Sequence, residues 1–104
     1  MSAVPGLSTM NSCFLVGHIE QMPVSDRPGP FQRATMKIRC TRPYAEADGS
    51  FVEDLFSVSL WRGIADDTCS TCKAGDPVAV KGRLIMQDGQ PIIVAEHVSL
   101  PAGF

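Results

Sequence analysis

Three groups of side chains in this sequence have the types and spacing to do chemistry. Cys69 and Cys72 stand in a C-x-x-C spacing, which can form a redox pair or supply half of a zinc site. Structural zinc takes four ligands, however, and Cys13 and Cys40 lie singly in apolar segments with no partner spacing. A redox pair would need a βαβ setting and a thiol at a helix start, and neither is indicated. All the cysteines therefore read as small buried hydrophobes, and an even count in a cytoplasmic protein is no evidence for disulfides. The second group, His18 and His97, lies far apart on short apolar segments. No glycine-rich phosphate loop, H-x-x-x-H pair, G-x-S-x-G or serine–lysine signature accompanies them. The expectation is a non-enzyme with no metal and no cofactor.

The third group points to binding. In DLFSVSLWRG, Asp54 to Gly63, side chains of an extended strand alternate between two faces. Phe56, Val58 and Leu60 form an apolar row, whereas Leu55, Ser57, Ser59 and Trp61 form a row that ends in the only tryptophan. From Arg27 to Arg42 there are five basic side chains (Arg27, Arg33, Lys37, Arg39 and Arg42) and no acidic one. The acids Glu46, Asp48, Glu53, Asp54, Asp66 and Asp67 follow, interrupted only by Arg62. The net charge of −2 disfavours a nucleic-acid partner, but the segregated distribution favours one local basic face. The alternative is an ordinary solvated strand face.

The elements that must position these residues are strands and turns with one helix. Asn11 to Gln21, around CFLVGHI, is a first strand, and Pro23 to Pro30, with its prolines and glycine, reads as a loop. Gln32 to Arg42 is a second strand, with Ala34, Met36, Ile38 and Cys40 inward and Arg33, Thr35, Lys37, Arg39 and Thr41 outward. Asp48-Gly49 turns the chain into the strand that ends at Trp61. Ile64, Ala65, Thr68 and Cys72 recur at helical spacing, which predicts a helix of about 10 residues with Gly75 as its C-terminal cap. Pro77 to Gln87 and Pro91 to Leu100 form two more strands around Asp88-Gly89, and Gly82 marks a bulge or sharp bend. The order β-β-β-α-β-β is that of the OB-fold, an all-β five-stranded Greek-key barrel with its helix between strands three and four.

At 104 residues, 44% hydrophobic and 19% charged, the chain fits one ordinary globular domain. No apolar run reaches the roughly 20 residues that span a bilayer. MSAVPGLST has neither the basic start nor the apolar stretch of a signal peptide, so the expected location is the cytoplasm, with no membrane partner.

Several of these residues carry a resemblance. Met10-Asn11 followed by CFLVGHI, and FSVSLWRGIADDTCSTCKAGDPVAVKGRL with its Lys-x-Gly-Asp-x-Val and Gly-Arg-Leu segments, resemble bacterial single-stranded DNA-binding proteins. The resemblance covers about Met10 to Leu100, with residues 1–9 an N-terminal extension and 101–104 the C-terminal end. It implies sequence-non-specific binding of single-stranded DNA, as in replication, recombination or repair. Bases would stack on Trp61, at the end of strand three, and on Tyr44, at the end of strand two. Leu55 stands where some members have a tryptophan, His18 matches a polar position that touches nucleic acid, and Lys37 and Arg39 line the adjoining face. Arg83 has two readings, a phosphate contact or a pair with Asp76. The resemblance also implies a homo-oligomer, a dimer or a tetramer, built by pairing first strands and packing sheets.

The chain departs from that pattern in its short hairpin, Met86 to Pro91, and in ending at SLPAGF without a linker and acidic tail. Recruitment of repair enzymes through such a tail is therefore not expected. These departures favour an alternative, an OB-fold protein-interaction module such as a primosome-type accessory protein or a subunit of a larger assembly. Trp61 beside Lys37 and Arg39 favours DNA.

Overall fold

The computed structural model describes residues 10–27 and 33–100; residues 1–9, 28–32 and 101–104, which include the N-terminal extension, part of the expected proline-rich loop and the C-terminal end, lie outside the described residues. Its elements are β1 (Cys13–Arg27), β2 (Arg33–Ala45), β3 (Phe51–Trp61), α1 (Arg62–Thr71), β4 (Pro77–Gln87) and β5 (Gln90–Ser99). The strands close a barrel in the order β1-β2-β3-β5-β4, with β1 pairing both β2 and β4. This is the OB-fold, with the helix between its third and fourth strands.

Alternation builds the interior. Ala34, Met36 and Ile38 of β2, Val58 and Leu60 of β3, Val78 and Val80 of β4 and Ile93 and Ala95 of β5 are buried around Ile19 of β1. Cys40 and Phe56, in the same rows, are only partly buried, because the β2–β3 ribbon runs on past the barrel. The helix lays Ala65 and Thr68 against this core, with Cys72 just beyond its end.

Barrel closure bends two strands sharply, and glycine permits both bends. β1 passes from β4 to β2 at Gly17, where a Cβ would sit 2.4 Å from the Arg39 carbonyl oxygen. In β4 the register slips between Lys81 and Gly82, where a Cβ would sit 2.2 Å from the carbonyl oxygen of Val94. The irregularity expected at Gly82 is thus present.

Two expectations need correction. The segment from Pro23 is not a loop throughout: β1 continues to Arg27, and Pro23 falls where the β1–β2 register shifts between Gln21 and Val24, a place that needs no ladder donor. Nor does Gly75 cap the helix. Cys72 ends it in extended conformation, its N–H donating to the Thr68 carbonyl, whereas Gly75 (φ 92°) sits in the next turn and donates to the Ile19 carbonyl at 2.8 Å.

Candidate nucleic-acid interface

The antiparallel register of β2 and β3 sets the outer face in cross-strand pairs. Arg33 stands opposite Trp61, Thr35 opposite Ser59, Lys37 opposite Ser57, Arg39 opposite Leu55 and Thr41 opposite Glu53. Trp61 is 41% exposed, and the Arg33 guanidinium lies 5.4 Å from its ring centroid, a cation–π contact that orients the indole.

The face is not flat. Beyond the Gly82 bend, β4 and β5 continue as a hairpin through Ile85–Ile92 and Gln87–Gln90 to a tight turn at Asp88 (φ 53°) and Gly89 (φ 78°). This hairpin stands beside β3 and makes the outer face concave. Between it and β3 lies a groove of ≈ 500 Å³ lined by Ser59, Trp61, Arg62, Arg83, Ile85, Gln87, Val94 and Ala95. A second hollow, lined by Arg33, Thr35, Ser59, Gln87 and Ile92, adjoins it through the shared Ser59 and Gln87. Together they form one trough. Ser59, on the outward row, is nevertheless buried, because it is the trough's floor.

The rims carry positive charge from different elements. β2 supplies Arg33, with Lys37 one outward position beyond Thr35 on the same strand, β4 supplies Arg83, and Arg62 stands at the junction of β3 and α1. Arg62 has φ 53°, a left-handed conformation that costs a non-glycine residue about 1–2 kcal/mol. Strain of this kind is characteristic of functional sites. Among the described residues Lys37, Arg62 and Arg83 make no ion pair; the alternative Arg83–Asp76 pair does not form, and Asp76 instead accepts from the Lys73 backbone N–H at 3.0 Å.

The expected site residues therefore divide. Trp61 and Arg83 line the trough, and Lys37 stands one outward position beyond it on β2, opposite Ser57. His18, Arg39 and Leu55 form one row across β1, β2 and β3, farther along the same face. Arg39 there is held between two carboxylates, Glu20 at 2.7 Å and Glu53 at 2.9 Å. Tyr44 is on the other side of the ribbon: it precedes Ala45, the cross-strand partner of Phe51, and its hydroxyl lies against Arg42. Arg42 in turn donates to both oxygens of Asp54, at 2.9 and 3.1 Å, which holds that carboxyl below its ordinary value.

Arg62, Gln87 and Phe51 were not singled out from the sequence. Phe51, 57% exposed, shares the outer row with Leu55 and Trp61, and extending the alternation of β3 back by a few residues would have found it. Gln87 reaches the site only because the hairpin stands beside β3, and the flagged Gly82 was its single signal. No residue pattern announces the backbone conformation of Arg62.

The C-x-x-C pair sits elsewhere. Cys69 is partly buried and Cys72 buried, on the packed side of the helix. Burial, with Asp66 and Cys72 adding to it, pushes the Cys69 thiol above its ordinary value, opposite to the direction of a reactive thiolate. Among the described residues no three histidine, cysteine or acidic side chains gather as a metal would require.

No protein-family model and no curated protein matches the chain. Solved structures do match its barrel. A small single-stranded DNA-binding protein from Streptomyces coelicolor superposes with a TM-score of 0.70 at 21% identity, covering 90% of this chain and 96% of that one. The SSB domain of a protein from Synechococcus sp. superposes with a TM-score of 0.70, also at 21% identity, over 88% of this chain and 96% of that one. What is shared at this identity is the fold.

Proposed function

We propose that this protein binds single-stranded DNA without reading its sequence, in the trough between the β2–β3 face and the β4–β5 hairpin. Bases stack on Trp61, and phosphates meet Lys37, Arg33, Arg62 and Arg83 on the rims. The observation that carries the reading is a half-exposed tryptophan at the end of a trough with basic side chains on both rims. Its support outside the chain is the name borne by the structural neighbours, single-stranded DNA-binding protein. On this reading the protein is a binding protein and not a catalyst, acting where replication, recombination or repair exposes single strands.

The test is quenching of the intrinsic fluorescence of Trp61, the only tryptophan, by a poly-thymidine oligonucleotide of about 30 nucleotides at low and raised salt. The expected result is strong quenching that weakens with salt. Trp61→Ala, followed by anisotropy of a labelled oligonucleotide, weakens binding roughly 5- to 150-fold, the equivalent of about 1–3 kcal/mol. No quenching at micromolar protein in low salt overturns the reading. The protein-interaction module then takes its place, favoured by the exposed Leu84, Ile85 and Met86 on the hairpin.

The proposal includes self-association. On the wall made by β1, β4 and β5, Phe14 is 71% and Val16 55% exposed, beside a hollow lined by Ala79, Lys81, His97 and Ser99. An apolar strand face of this kind suits a second copy. Sedimentation of the wild type and of Phe14→Glu tests it, with a dimer or tetramer expected for the first and a monomer for the second.

A further inference from the structure

The outer face of β2 and β3 carries basic residues along its length, yet their surroundings change abruptly between Lys37 and Arg39. Lys37 stands opposite Ser57 and beside Gln21, all neutral neighbours. Arg39, one outward position farther, lies between Glu20 of β1 and Glu53 of β3, with His18 its register partner on β1. The carboxylates come from the two strands that flank Arg39, so the charge is enclosed within the sheet. The remaining arginine of this ribbon, Arg42, is held by Asp54 on the opposite side.

Resting on the single-stranded DNA reading above, we propose that Glu20 and Glu53 fence the binding face, confining the bound strand to the Trp61 half and excluding it from the row of His18, Arg39 and Leu55. The physical reason is an exchange that gains nothing. A phosphate approaching Arg39 must displace two carboxylates already bonded to it, and both then stand as unpaired negative charges beside the phosphate. An arginine that stays with its carboxylates neutralises no phosphate and frees no counterion condensed on the nucleic acid, so it adds nothing to the salt-dependent driving force. Lys37, Arg62 and Arg83 have no such partners among the described residues.

Two consequences follow. The basic stretch of β2 that remains, Arg33 to Lys37, spans about 13 Å at roughly 3.3 Å per residue, so the footprint of one chain falls near the short end of the roughly 4–16 nucleotides known for OB folds. And removing the acids, not adding bases, lengthens it.

The experiment titrates the full chain, the double variant Glu20→Gln/Glu53→Gln and the triple variant that adds Arg39→Ala to it with poly-thymidine oligonucleotides of graded length across a salt series, read by Trp61 fluorescence. Thermal melts check that each is folded. The double variant is expected to bind about three- to tenfold more tightly than the wild type at low salt, with a longer footprint and a log–log slope steeper by about 0.7, one extra phosphate contact on a single strand. The triple variant is expected to lose the longer footprint and the extra slope. A double variant indistinguishable from a wild type that binds, or a triple variant that keeps the gain of the double, overturns the fence. A wild type that does not bind overturns the single-stranded DNA reading on which the fence rests.

Discussion

Two of this barrel's hairpins, β2–β3 and β4–β5, reverse on the same Asp-Gly dipeptide and do opposite things with it. In β4–β5, Asp88 and Gly89 are both left-handed, and the turn is complete between Gln87 and Gln90. In β2–β3 only Gly49 has positive φ, and Asp48 caps a wider loop by accepting from the backbone N–H and the hydroxyl of Ser50 at 2.9 and 2.6 Å. The arms differ more than the turns. β2–β3 is cross-linked by Arg39–Glu53 and Arg42–Asp54, whereas β4–β5 beyond the barrel carries exposed Leu84, Ile85 and Met86 and, among the described residues, no ion pair past the Lys81–Glu96 bridge. One arm is a charged ribbon held by its own partners; the other is an apolar wall held by its bend. The dipeptide reverses the chain, and the flanking residues decide what the reversal is for.

That contrast breaks most readily at the bend. Gly82→Ala drives a Cβ into the carbonyl oxygen of Val94, and the expected loss is about 3 kcal/mol, a fall in Tm of at least about 12 °C by calorimetry. Gly49→Ala, in the other arm, has open space around it and strain only from φ 88°, so it lowers Tm by about 5 °C. Where the arms face each other across the trough, Arg62→Gly separates stability from binding. It relieves the left-handed strain and raises stability by about 1 kcal/mol in denaturant melts, yet weakens single-stranded DNA binding several-fold by removing a rim charge.

The smallest effect is one of pH, and it belongs to β2–β3. Hydrogen bonds from Arg42 lower the folded value of Asp54, and those from Ser50 lower that of Asp48. A lowered carboxyl stabilises the folded chain fully above its unfolded value of 3.8, and that contribution is lost as pH falls through the folded one. Carbon NMR of the Asp54 carboxyl is expected to show a midpoint below 3.8, and Asp54→Asn is expected to flatten the acid limb of the stability profile.

Much of this was open to reading in the chain itself. The inward rows of β2 and β3, the helix after Trp61, both turns and the irregularity at Gly82 follow from alternation and from residues with narrow backbone preferences. Trp61 stood out because an outward row ended in it. What escaped depends on register between distant segments. Glu20 and Glu53 meet Arg39 through pairings on both sides of β2, one of them shifted just beyond Ile19, and no local pattern fixes such a shift. Tyr44 resembled a stacking residue by its place at the end of strand two, but Thr41 and Ala45 both pair with the outer row of β3, and alternation between them sets Tyr44 on the other side, beside Arg42. The trough itself is a product of curvature, and curvature is a sum over strands.

The pairing of β3 with β5, Val58 to Ile93 and Ser59 to Val94, is the barrel's shortest seam and joins strands separated by the helix and all of β4. Such a junction carries a large loop-closure cost. It is also the ground beneath the trough, since Ser59 and Val94 line it. A nucleic acid lying there spans the weakest joint of the barrel, and at about 100 times its Kd would hold it shut with roughly 2.7 kcal/mol. The cargo, on the proposed reading, is also the fastener.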